Sequence, residues 1–227
     1  NMDSGQIRQE FVSGVAAMAI DWGDIGILAA TGEQSNVKGD VGYSILPGAE
    51  RVWDYEQEQW LDVSENPDVF EGNEVSHAPY LAFGGWFGAI DANSDAKQAA
   101  YSFLSFMANP ENSFENVTSP ETGANPFRET HFENMEKWRE EIGLENPSEY
   151  LGAIQNTINH PNVQADLRIP EANQYFEALE AQLVQALAGS KSPEAALDAA
   201  AKEWNRITED VGRESQLEAY RGSLGLE

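Results

Sequence analysis

None of the 227 residues is cysteine, which excludes disulfides, thiolate metal sites and a cysteine nucleophile. Basic residues are scarce: 13 Lys and Arg face 39 Asp and Glu, for a formal net charge of -26. Such a surface repels a phosphate backbone, so nucleic acid is not an expected partner. Acidity of this degree keeps a chain in solution and fits saline surroundings. No apolar run is long enough to span a bilayer, and the opening NMDSGQIRQEF has no basic region followed by an apolar one. A soluble chain, with any export signal already absent, is expected. Catalytic signatures are missing too: there is no G-x-S-x-G, H-E-x-x-H or G-x-x-x-x-G-K-[ST]. DANSD imitates the start of a calcium loop, but Ala96 stands where glycine is needed and Ser102 where the bidentate glutamate belongs. The three histidines lie far apart in sequence and read as surface or loop residues. No catalytic residue, metal or cofactor is assigned.

What is present is a globular composition, 41% hydrophobic and 10% aromatic, enough for one large domain or two small ones. Ile7, Phe11 and Val12 read as the apolar side of a helix's last turns, closed by Gly14. So abrupt a start suggests a piece of something longer. Three apolar runs read as strands: VAAMAI at 15–20, DVGYSILPG at 40–48 and YLAFGGWFGAI at 80–90. Residues 51–79 are acidic, carry Trp53, Tyr55 and Trp60 without a steady period, and read as a long surface excursion. From Ser94 the pattern turns helical, with Ala99, Ala100, Phe103, Leu104 and Met107 on one face and Asn109-Pro110 as the stop. Further helices are expected at 135–142, at 148–157 and from about Glu171. Ser192-Pro193 opens another, whose Leu197, Ala200, Trp204, Ile207 and Val211 make one buried stripe. Strands first and helices after point to an α/β chain in two lobes.

Candidate binding residues are aromatic and polar groups at element ends. Trp22 follows the first run directly, beside Asp21. Trp86 sits behind Gly84 and Gly85, which leave room for a ligand or an opposing wall to approach. Arg168 and Tyr175 flank the start of a late helix. A flat indole packs on the apolar C–H side of a pyranose while Asp, Asn and Arg take its hydroxyls, so this set suits a carbohydrate. Core packing is the competing reading for each tryptophan, and for Trp204 it is the preferred one.

The segments FVSGVAAMAIDWGDIG, VGYSILPG, LAFGGWFGAIDANSDAKQAAYSFLSFMANPE, TGANPFRETHF and DLRIPEANQYFEALEAQLVQALAGSKSPEAALDAAAKEWNRI occur in that order. In this the chain resembles bacterial extracellular solute-binding proteins of the carbohydrate-uptake type, relatives of maltose-binding protein, and specifically their C-terminal half. The resemblance implies a two-lobed, type II periplasmic-binding-protein fold. Residues 15–92 would be part of the N-terminal lobe, residues 1–14 and 94–227 a mainly helical C-terminal lobe, with a hinge near 91–94. It implies a non-enzymatic, periplasmic or extracellular protein that captures a sugar or polyol between its lobes and delivers it to the membrane permease of an ABC importer. Trp22, Asp21, Gly84, Gly85 and Trp86 would line the cleft from one side, Arg168 and Tyr175 from the other, with Arg128 in a lesser role. A monomer is expected, with completion by a missing N-terminal segment as the alternative. A carbohydrate-active hydrolase and a non-binding structural fragment are the rival readings.

Overall fold

The computed structural model describes residues 2–82 and 85–226. They form a helix-rich chain with two small two-stranded sheets, divided into two compact units, Asn1–Ala165 and Asp166–Glu227. None of the described helices is long and apolar enough to cross a membrane.

The first unit begins with α1 (Ser4–Val12), whose entry is fixed by a capping box: Asp3 accepts the Gln6 N–H while the Gln6 side chain accepts the Asp3 N–H. Gly14, at φ +81, turns the chain out of it. After α2 (Ile25–Thr31) the segment 51–79 contains a hairpin, β1 (Arg51–Asp54) paired antiparallel with β2 (Gln59–Asp62). A second, two-residue pairing joins β3 (Tyr80–Leu81) to β4 (Gln164–Ala165) in parallel. Helices α3 (Lys97–Met107), α4 (Pro110–Thr118), α5 (Glu129–Glu133), α6 (Met135–Glu140) and α7 (Pro147–Ile158) lie between them. Asn109-Pro110 does stop α3, and it also starts α4, because Asn109 caps the Asn112 N–H and Pro110 takes the first helical position.

The core of this unit joins Ile27 of α2 to Phe114 and Val117 of α4, Trp138 of α6, Leu144, and Tyr150 and Leu151 of α7. Its aromatic rings meet edge-on or tilted: Phe114 to Trp138 at 5.3 Å, Trp138 to Tyr150 at 5.8 Å, Tyr150 to Tyr43 at 5.2 Å. Gly26 is what lets α2 reach Tyr150, since a Cβ there would stand 2.5 Å from Tyr150 Cε2.

His131 is buried in the same region, not on the surface as its turn-rich sequence context suggests. Its Nδ1 accepts the Phe127 and Arg128 N–H groups, at 3.3 and 3.4 Å. Nε2 therefore carries the proton and donates to Ser113 Oγ at 3.1 Å, and Ser113 in turn donates to the Pro110 carbonyl. Trp138 Nε1 donates to the His131 carbonyl at 2.7 Å. Burial first, then the nearby cations Arg128 and Lys137, lowers the His131 pKa from an ordinary 6.5 to about 4.

The expected long strands are not formed. Residues 15–20 and 85–90 have no regular structure, and residues 40–48 stay irregular up to a single bridge from Ala49 to Ser76. An apolar run becomes a strand only when a neighbour takes up its backbone groups. Here β4 offers β3 two residues, and among the described residues no strand pairs with 15–20, where Met18 is 87% exposed. The expected helix from Ser94 begins three residues later: Ser94 Oγ accepts the Ala96 N–H in a local turn. None of the α3 residues is buried, and Tyr101, Phe103 and Phe106 are exposed.

The second unit is three helices: α8 (Ala172–Leu187), α9 (Pro193–Val211) and α10 (Arg213–Ser223). Ser192 caps α9 through the Ala195 N–H with Pro193 in the first turn, as its sequence predicts. Along α9, Ala200 and Ile207 are buried and Trp204 half-buried, whereas Leu197 is exposed. The indole of Trp204 donates to the Tyr175 carbonyl at 2.8 Å.

Two predictions follow from this packing. Gly26→Ala is expected to cost about 1–3 kcal/mol by forcing α2 away from Tyr150 and Tyr43, read as a lowered urea midpoint. The folded state keeps His131 neutral down to about pH 4 while the unfolded chain protonates it from about 6.5. Its contribution is therefore complete above pH 6.5 and shrinks as pH falls toward 4, by roughly 3 kcal/mol across that range. Compared with His131→Gln in urea titrations at pH 7.5 and 4.5, the native chain should lose more stability on acidification.

Candidate functional site

The best-defined polar constellation lies where α1 meets the start of α2. The Arg8 guanidinium from α1 is gripped by two carboxylates. Nε and Nη2 donate to Asp21, with contacts of 2.6–3.1 Å, and Nη1 and Nη2 donate to Asp24 at 2.6 and 3.0 Å. All four carboxylate oxygens face the fork, and both acids are largely buried. Asp21 Oδ1 also accepts the Trp22 N–H at 2.6 Å. The Arg8 guanidinium lies 5.4 Å from the centroid of the Trp22 ring. The fork thus sets both the backbone and the ring of the half-buried Trp22.

Gly23, next in sequence, has the tip of Ile154 and Asn125 Oδ1 within about 3 Å of where its Cβ would stand. A Cβ here would press on both, so glycine suits a segment lying this close to α7 and to the 123–126 loop. Nearby, Asn125 Oδ1 and the Tyr150 hydroxyl are buried without a hydrogen-bond partner among the described residues. Burial, with the Asp24 and Tyr43 charges behind it, raises the Tyr150 pKa.

The other expected residues are not part of this constellation. Trp86 is 91% exposed, next to an equally exposed Phe87, in the irregular stretch 85–90. Gly84 lies outside the described residues. Gly85 was expected to make room for a close approach; instead the space around it is open, and its φ of +112 is what calls for glycine. Arg128 is half-buried and donates to the Ala108 carbonyl at the end of α3, with its guanidinium 5.7 Å from the Phe127 centroid. In the second unit Arg168 is exposed ahead of α8. Tyr175 is buried, and its hydroxyl is engaged twice: it accepts from Gln216 at 2.8 Å and donates to Thr208 Oγ1 at 2.6 Å, which donates to the Trp204 carbonyl. That chain ties α8, α9 and α10 and leaves Tyr175 no open face for a sugar.

Arg8 and Asp24 did not stand out in the sequence. A signal for them was there: in a chain with 13 cations, an arginine in the helix preceding a D-x-x-D pair is a natural counter-ion. Arg8→Met would leave two buried carboxylates facing each other and is expected to cost about 3–5 kcal/mol. Arg8→Lys, which restores the charge but not the fork, should recover part of that loss. Urea unfolding gives the stabilities, and Trp22 emission should shift in both variants.

No curated protein matches the chain. Residues 1–113 match the family model described as bacterial extracellular solute-binding protein. That match spans Arg8, Asp21, Trp22, Asp24 and Trp86 and ends before Arg128, Arg168 and Tyr175. The residues that build the fork and its tryptophan thus lie within the stretch that is similar to bacterial extracellular solute-binding proteins.

Proposed function

We propose that this chain is the substrate-binding component of an ABC importer, taking a sugar or polyol between two lobes outside the cell membrane and delivering it to the permease. The observation that carries the reading is Trp22, an indole whose backbone and ring are fixed by the Arg8 fork within the family-matching residues. A preset aromatic plane loses little freedom when a pyranose packs its C–H face on it, which is what a sugar platform requires. Trp86, almost fully exposed beside Gly85, is the second platform in this reading.

In this reading residues 15–92 supply part of an N-terminal lobe and residues 1–14 and 94–227 a C-terminal one, in a type II arrangement with a hinge near 91–94, and Ile27 of α2 packs across that division into the core of α4, α6 and α7. Asp21 acts by positioning Trp22, because its carboxylate already serves Arg8. Arg168, exposed, remains a candidate for hydroxyl contacts, and Arg128 a weaker one. Tyr175 is better accounted for by helix packing. Capture and release of such a ligand need no bond-making residue.

A thermal-shift screen against sugars, polyols, amino acids and simple salts tests the reading, since a ligand that binds only the folded chain raises its melting temperature. A rise with a sugar or polyol is expected. Trp22→Ala and Trp86→Ala should each weaken that ligand at least about tenfold, or 1.4 kcal/mol. A rise with amino acids alone would sink the carbohydrate assignment, and no rise with any compound would sink the binding role.

A further inference from the structure

The two faces of the β1–β2 hairpin differ in what they do. In its register Val52 faces Leu61, while Arg51 faces Asp62 and Trp53 faces Trp60. Side chains alternate along a strand, so Val52 and Leu61 share one face and the other four residues share the opposite one. The Val52–Leu61 face is half-buried and runs on into fully buried Val63, which anchors the hairpin. The other face is solvent-exposed. Its two indoles meet edge to face at 5.6 Å and keep 36% and 57% of their surface accessible.

We propose that this outer face is a carbohydrate-binding surface for a neutral oligosaccharide, separate from Trp22 and Trp86 and independent of the importer reading. Three observations carry it. The first is surplus aromatic area: a cross-strand pair is worth only about 0.2–1 kcal/mol to a hairpin, and smaller residues supply that without two tryptophans in water. Tyr55, 86% exposed at the turn, adds a third ring. The second is the polar pair beside the rings. The Arg51 guanidinium lies 5.5 Å from the Trp60 centroid. Among the described residues no hydrogen bond engages either its N–H groups or the Asp62 carboxylate. A fork of donors and a carboxylate acceptor flanking flat apolar faces is the combination that sugar hydroxyls and C–H faces require.

The third is charge. Residues 51–79 hold eight Asp and Glu and a single Lys or Arg, Arg51. An anionic glycan or a phosphate headgroup is repelled there, whereas a neutral sugar is not. Charge thus removes the anionic class, and the flat indole surface with a donor and an acceptor beside it suits a neutral, polyhydroxylated ligand.

The test uses the whole chain with cellohexaose, maltohexaose and laminarihexaose as neutral probes and oligogalacturonate as the anionic one, each followed by isothermal titration calorimetry. At least one neutral hexasaccharide should bind. Trp60→Ala should weaken it tenfold or more and Arg51→Ala about threefold. Near-UV circular dichroism reports whether Trp60→Ala keeps the hairpin; if it does not, Arg51→Ala, which retains both indoles, decides. Unchanged affinity in the deciding variant overturns the proposal, as does no binding of any neutral probe or oligogalacturonate binding as tightly as the neutral sugars. Loss in Trp22→Ala and Trp86→Ala but not in the hairpin variants would leave the importer reading standing and remove this one.

Discussion

The first unit depends on one arrangement of charge: a guanidinium held between two carboxylates that are close neighbours in sequence. Asp21 and Asp24 stand at the start of α2 and Arg8 comes from α1, so the fork fixes how these two helices meet. One cation shared by two acids leaves a local excess of negative charge, which burial makes costly unless every oxygen finds a donor. The guanidinium reaches all four, and its plane is also positioned near Trp22. A lysine has neither the fork nor the plane. The interaction that stabilises this corner is therefore the one that aims the candidate ligand platform.

Behind that corner, Gly26 brings α2 against Tyr150, and the rings of Tyr150, Trp138 and Phe114 lead to buried His131. The neutral imidazole serves this core because its two nitrogens make opposite hydrogen bonds, accepting at Nδ1 and donating at Nε2. The second unit is held differently, by a polar relay running from Gln216 through Tyr175 and Thr208 to a helix carbonyl. In each unit a buried polar group links elements that apolar packing alone would let slide.

Legibility followed the range of the interactions. Helix α9 was readable because Ser192-Pro193 and its stripe are local signals, and α8 was readable from its spacing. Asn109-Pro110 was read as a stop; its second role as the cap of α4 needed the next turn. Helix α2, IGILAAT, is apolar up to its last residue, with no period to separate it from a buried strand, and α10 is too polar to show a stripe. The hairpin was hidden because its outer face carries tryptophans, which erases the apolar-polar alternation that marks a strand. The strand reading at 15–20 failed, and that at 80–90 held only at Tyr80–Leu81 among the described residues, because pairing depends on a distant partner. In the candidate site Trp22 and Asp21 were legible as neighbours, whereas Arg8 belongs to another helix. The packing role of Tyr175 rests on residues 33 and 41 positions away.

The exposed aromatic residues of α3 have a colloidal consequence. Tyr101, Phe103 and Phe106 present aromatic surface that would drive molecules together on contact. A net charge of -26 opposes such contacts, because like-charged chains repel one another before these rings meet. That barrier has a short reach, about 8 Å at physiological ionic strength and roughly 3 Å in molar salt. Repulsion between copies of this chain is thus a property of its charge cloud, and the ionic strength around it sets how closely two α3 helices can approach.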